Sequence, residues 1–310
     1  MNLILFLFAF VIQRKTRISF SYAFDRWSKL VVTGISARFA RLPEWCGALV
    51  TSIVFLSVIA GLWGVLSLLQ GIAYDVFYFF VVFLVILSLI GDADSAGKLD
   101  EFLTHWRQRD SQGALLSLLS NNIVPGQEAD SSRLLLREVA NWLLLDTFQR
   151  YFLILFWFAV AGPTGALAAR IVEQVCRTDS NACLVKVFNP ILFVLEAVPC
   201  RIVAIAMVFL SDQSPLNWQF FRQVIFGRFS SDRLLLVSAQ VALPEHNLGK
   251  RDRLVKMVVS EEVLLQEDFD DFYLAGDTGI KALRVLLTQV VWGCFFVWAL
   301  VQLGVYYFPG

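Results

Sequence analysis

Two charged residues stand in an otherwise apolar run. Glu196 and Arg201 lie in FNPILFVLEAVPCRIVAIAMVFL, residues 188–210, where a charge at the centre of a membrane helix costs about 2.5–3.5 kcal/mol. Such residues require a partner or a wet cavity, which makes both candidates for ligand binding or for coupling between helices. Five positions apart on an ideal helix, they point about 140° from each other. Pro199 lies between them and frees the carbonyl four residues back, so they either approach across a kink or pair elsewhere. Arg170 is a third candidate. It closes RYFLILFWFAVAGPTGALAAR, residues 150–170, and reads either as a snorkelling arginine at the end of a span or as a partner for Glu196.

Other residue types support less chemistry. Asp92 and Asp94 in GDADSAG offer oxygen ligands to a hard cation, but capping of the following helix is the better reading. With Arg137 they form the surface that an enzyme acting on a nucleotide-linked substrate would use, with ATP and magnesium. His105 and His246 have no metal-ligand spacing to another His or Cys, so neither a metal nor a cofactor is expected. Cys176 and Cys183, in CRTDSNAC, either pair in an oxidising compartment or stand as thiols on helix ends. Cys46, Cys200 and Cys294 read as packing residues. No P-loop, dinucleotide fingerprint or zinc-type cysteine pair occurs, and a formal net charge of zero gives no field for nucleic acid.

The elements that must position these residues are membrane helices. Of the 310 residues, 57% are hydrophobic and 17% charged, against about 25% charged in a soluble domain. The nineteen uncharged residues from Tyr151 to Ala169 reach roughly 29 Å as a helix, about the thickness of the hydrocarbon core. The expected organisation runs as follows: a short membrane segment and basic stretch at 1–46, a transmembrane hairpin at 47–91, a cytoplasmic helical region at 92–149, a second transmembrane hairpin at 150–211, a cytoplasmic region at 212–284, and a terminal span at 285–310. Lys and Arg number seven in 13–45, six in 92–150 and nine in 212–284, which places those segments in the cytoplasm and the 170–186 loop outside. The small residues of Gly162–Gly165 read as a helix-packing surface rather than a substrate pocket, with Pro163 as a kink. Leu99, Phe102, Leu103 and Trp106 predict one face of a soluble helix, and Asp110 predicts the cap of the next.

The segments RQRDSQGAL, LREVANWLLLDTFQRYFLILFWFAVAGPTGALAAR and LFVLEAVPCRIVAIAMVFL, in that order, resemble the AmpE family of bacterial inner-membrane proteins, a relative of the CobD/CbiB cobalamin-biosynthesis proteins. The resemblance implies a regulatory role in cell-wall recycling and β-lactamase induction. It also implies a lipid bilayer as environment and a cytoplasmic partner or muropeptide-like metabolite as ligand. The corrinoid synthases carry a polar segment where this chain has Leu145, Asp146, Thr147, Phe148, Gln149 and Arg150, and polar residues where it has Glu173, Gln174 and Cys176. The shared scaffold is Phe156, Trp157, Gly162, Gly165, Ala166, Arg170, Pro199 and Arg201. The expectation is therefore an all-α polytopic membrane protein of about five spans, a signalling modulator without a catalytic residue. A CobD/CbiB-like enzyme is the alternative and a transporter the third reading.

Overall fold

The structure is a computed structural model. It describes residues 6–9, 26–31, 33–34, 44–69, 75–90, 94–121, 123, 132–177, 182–211, 218–227, 229–244, 246, 248 and 272–307. Among these it is helical throughout, with no strand. The helices are α1 (Glu44–Leu69), α2 (Asp75–Leu89), α3 (Asp94–Arg107), α4 (Ser111–Ser120), α5 (Ser132–Thr147), a π-helical turn (Phe148–Phe152), α6 (Leu153–Arg177), α7 (Ala182–Phe209), α8 (Trp218–Phe226), α9 (Ser231–Ala242) and α10 (Phe272–Tyr307). The all-α membrane class expected from composition is what the chain adopts. Four helices are long and apolar enough to cross a bilayer by length and composition, within 49–69, 132–177, 185–209 and 272–302. The core window of the first is only 17% buried, so most of its apolar surface, Trp63 and Leu68 included, is left exposed among the described residues, as a lipid-facing surface is. Helix α2, at 15 residues, reaches roughly 22 Å and falls short of the span expected there.

The chain forms two compact units. One comprises 1–93, 149–197 and 298–310; the other comprises 94–148 and 198–297. In the first, α1 and α2 pack on each other and on α6. Phe6 lies buried against Phe158 and Trp298 at ring separations of 5.4 and 6.0 Å; residues 1–5 and 10–12 are outside the described residues.

Helix α6 corrects the sequence reading. Gly162 adopts φ 70°, ψ −162°, a region essentially reserved for glycine, and the helix breaks there. An unbroken helix would hold Gln149 and Arg177 about 42 Å apart, yet Arg177 Nη2 donates to Gln149 Oε1 at 2.8 Å. Leu153 and Ala169 likewise share a buried cluster, on which Trp157, Val172 and Cys176 pack. Residues 149–177 are thus an antiparallel helical hairpin with its tip at Gly162. The second arm, 163–177, is roughly 22 Å long, short of a core of about 30 Å, while the first continues through the π-helical turn into α5. Tyr151–Ala169, expected as one straight span, is folded back on itself, and Arg177 lies level with Gln149 rather than a membrane's width away. Length and composition do not distinguish the two arrangements; the backbone at one glycine does.

The second unit follows its sequence pattern closely. Leu99, Phe102, Leu103 and Trp106 are all buried, and Asp110 caps α4 by accepting from the Gly113 N–H at 2.8 Å. Trp106 Nε1 donates to Tyr273 O at 2.9 Å. The close approach needs Gly276, where a Cβ would meet Trp106 Nε1 at 2.9 Å and Leu136 Cδ2 at 3.1 Å. Beside it Asp277 accepts from Arg107 at 3.0 Å and from Lys281 at 2.6 Å. Helix α9 is buried from Leu234 to Ala242 and packs on α5. The charge-alternating stretch 250–271 lies outside the described residues.

Gly162→Ala should cost about 1–3 kcal/mol through its backbone alone, since no atom lies within 4 Å of the added methyl. Gly61→Ala, mid-helix in α1 with equal space, should be neutral or stabilising by up to about 1 kcal/mol. Thermal unfolding of the detergent-purified variants checks this, and equal shifts for both would refute the reversal at Gly162.

Candidate functional site

The polar side chains of the first unit gather at the open end of the hairpin. Arg170, Glu173 and Arg177 are spaced i, i+3, i+7 and so share a face of the second arm. Gln149 sits in the π-helical turn that opens the first arm, a distortion that re-aims side chains and is frequent at functional sites. Glu196 comes from α7. Arg170 Nη1 donates to Glu173 Oε2 at 2.5 Å, and Arg177 Nε lies 2.5 Å from Glu173 Oε1. Arg177 also donates to Gln149 Oε1, and Gln149 Nε2 donates to Glu196 Oε1 at 2.7 Å. Five side chains thus form one continuous relay, with two cations balanced by two anions. Trp157 Nε1 donates to Leu195 O at 3.2 Å, holding α7 against the first arm beside it.

Burial decides what this relay can do. Arg170 is 1% exposed, Glu173 0%, Glu196 5% and Gln149 6%, while the Arg177 side chain is 33% exposed. Only Arg177 presents the relay to solvent. A charge pair out of water interacts far more strongly than at a surface, and its geometry must be close to ideal to offset desolvation. The Arg170–Glu173 hydrogen bond is short and charge-assisted, while Arg177 meets Glu173 Oε1 as an ion pair rather than a well-aligned hydrogen bond.

The structure redistributes the residues singled out in the sequence. Arg170 is not a snorkelling residue, because its guanidinium is buried on Glu173. Glu173, Arg177 and Gln149 connect it to Glu196. Arg201 belongs elsewhere: in the second unit its Nε and Nη2 donate to Ile225 O and Gly227 O at 3.3 and 3.2 Å, satisfying carbonyls at the C-terminal end of α8. Arg137 is half-buried on α5, and Asp94 is the first residue of α3. The Asp94 side chain and all of Asp92 lie outside the described residues. Cys176 is a free thiol that packs on the Leu153, Ala169 and Leu192 cluster; the Cys183 side chain is not among the described residues. No group of three His, Cys, Asp or Glu among the described residues could hold a metal.

Glu173, Arg177 and Gln149 were not among the sequence candidates. The first two carried a signal, an Arg-x-x-Glu-x-x-x-Arg face directly after an apolar run. Gln149 carried none, because only the reversal at Gly162 brings it to Arg177.

Arg170→Met should destabilise the protein by about 3–5 kcal/mol by leaving a buried carboxylate short of one partner, whereas Arg170→Met with Glu173→Leu should recover most of the loss. Unfolding midpoints in detergent test this. A double variant no better than the single one would mean that the pair is not the coupled unit described.

Set against known families, the chain matches the model described as "Regulatory signalling modulator protein AmpE" over residues 1–247. No curated protein and no solved structure matches it.

Proposed function

The chain belongs to the AmpE family of regulatory signalling modulators, whose model covers residues 1–247 of its 310, and from that membership we propose that it modulates β-lactamase induction in response to cell-wall recycling. The site of action is a bacterial inner membrane, and no cofactor takes part. The observation that carries the mechanism is the relay, which ties both arms of the hairpin to α7 through one set of hydrogen bonds.

A regulator needs an element with two arrangements whose balance a ligand shifts. The hairpin latch supplies one. In the closed arrangement Arg177 holds Glu173 and Gln149 together, and Gln149 passes the constraint to Glu196. A cytoplasmic partner protein or a muropeptide-like metabolite that engages Arg177, the exposed end, competes with Glu173 and Gln149 for the same guanidinium. Loss of the Gln149 bond then removes one tie between the hairpin and α7. Shifts of this kind are commonly worth 5–150-fold in an equilibrium.

The test replaces the chromosomal gene with a Gln149→Leu variant and reads inducible β-lactamase activity together with the cytoplasmic muropeptide pool. The expected result is normal membrane abundance, an unchanged pool and induction altered by about fivefold or more. Normal abundance with unaltered induction would remove the latch from the mechanism. A changed pool would instead assign the protein to the recycling chemistry itself.

A further inference from the structure

Helix α8, WQFFRQVIF, is nine residues long, and its two sides differ in what covers them more than in polarity. Phe220 and Val224 are buried and, four positions apart, lie on one side. Trp218, Arg222, Ile225 and Phe226 are spaced i, i+4, i+7, i+8 and share the opposite side. All four are exposed, Trp218 at 77% and Phe226 at 78%. A helix apolar on every side belongs in a core or in lipid, and this one has a single side in the core.

Two contacts fix where the exposed side lies. The ring of Phe209, the last residue of α7, packs on Phe221 at 5.6 Å, and Arg201 donates to Ile225 O and Gly227 O. Position 201 precedes 209 by roughly 12 Å along α7, so α8 runs back beside the last turns of that helix instead of leading away from it. Those turns belong to a helix apolar enough to span, 185–209. Val198, Ile202 and Phe209, on one face of them, are exposed as well. The apolar side of α8 thus stands next to the bare flank of a membrane helix.

We propose that α8 is an interfacial helix whose Trp218, Ile225 and Phe226 face lies in the headgroup–acyl boundary of the leaflet where α7 ends. Its partner is the lipid surface. Tryptophan is the side chain favoured at that depth, and Phe226 and Ile225 fill the acyl side. Arg222, amid the aromatics, lays its stem along apolar surface while its guanidinium reaches a lipid phosphate. Arg201 is the tether: by holding the last carbonyls of α8 it lets that helix end rest in apolar surroundings. A soluble partner would also cover the aromatics, but only by displacing the lipid that the exposed end of α7 already gathers. The segment after α7 is then laid on the membrane rather than released into the cytoplasm, independently of the relay.

The test uses the full chain with its five native cysteines replaced by serine or alanine, reconstituted in vesicles of phosphatidylethanolamine and phosphatidylglycerol. A nitroxide is attached at Trp218→Cys or Phe226→Cys, the two ends of the face, and at Gln108→Cys, in the exposed turn between α3 and α4, as the water reference. Collision of each nitroxide with oxygen, which concentrates in lipid, is compared with collision with a water-soluble nickel chelate. The expected oxygen-to-nickel ratio at both α8 sites exceeds that at Gln108→Cys by about fivefold or more, as for a face buried roughly 5–10 Å into the boundary. A ratio at the Gln108→Cys level at either α8 site would place that end in water and overturn the proposal. So would weak collision with both reagents at either site, the signature of a face covered by a second copy or a partner protein. Both substitutions remove exposed side chains, and the Arg201 bonds use backbone oxygens, so the tether survives in each variant.

Discussion

Ionised side chains removed from water persist only as a closed set, and in the first unit that condition organises everything near it. Glu173 takes Arg170 on one oxygen and Arg177 on the other, and neither arginine reaches it unless the second arm is helical from 170 to 177. Arg177 in turn reaches Gln149 only because the chain has reversed at Gly162. Gln149, an amide with both a donor and an acceptor, is the member that converts a cation-binding role into an anion-binding one: its oxygen faces Arg177 and its nitrogen faces Glu196. Neither an acid nor a base at position 149 offers both.

The two units solve one problem in different ways. Helix ends in apolar surroundings expose carbonyls that demand partners. At the end of α8 the partner is a side chain, the Arg201 guanidinium, whose fork reaches Ile225 O and Gly227 O together. At the hairpin tip a hydroxyl, Thr164, serves one such carbonyl, Ala161 O. Arginine in a membrane segment is commonly read as a ligand or coupling residue; Arg201 shows that the same cost is offset when the residue completes a broken helix.

How much of this the sequence displays depends on the range of the interaction. Helical class, the buried face of α3 and the Asp110 cap follow from spacings of three to seven residues and are legible as patterns. The Arg170–Glu173–Arg177 face is equally local, and a reading centred on isolated charges passes over it because each residue also suits a helix end emerging into water. The hairpin is a different matter. Gly162–Pro163 is compatible with a kink, a packing surface or a reversal, and the choice among them is made by contacts 16 to 28 residues apart, Leu153 with Ala169 and Gln149 with Arg177. Hydropathy cannot separate them, since a hairpin and a span bury the same residue types in the same apolar surroundings.

The relay is better understood as fixing register than as adding stability. Buried ion sets are often matched or exceeded in stability by apolar residues of similar volume, and the hairpin already holds an apolar cluster of Leu153, Ala169 and Leu192, with Trp157, Val172 and Cys176 around it. Aliphatic packing of this kind tolerates a slide of one arm along the other, because a methyl group one turn away fills the space nearly as well. The Arg177–Gln149 hydrogen bond of 2.8 Å and the Gln149–Glu196 hydrogen bond of 2.7 Å do not. A displacement of one helical turn, about 5.4 Å, breaks the Arg177–Gln149 bond between the arms, while the Arg170–Glu173 and Arg177–Glu173 contacts within the second arm persist. The closed hairpin therefore has few neighbouring arrangements that are nearly as good, which is the property a two-state element needs: it stays in register until something replaces the Arg177 contacts, and then it changes as a whole.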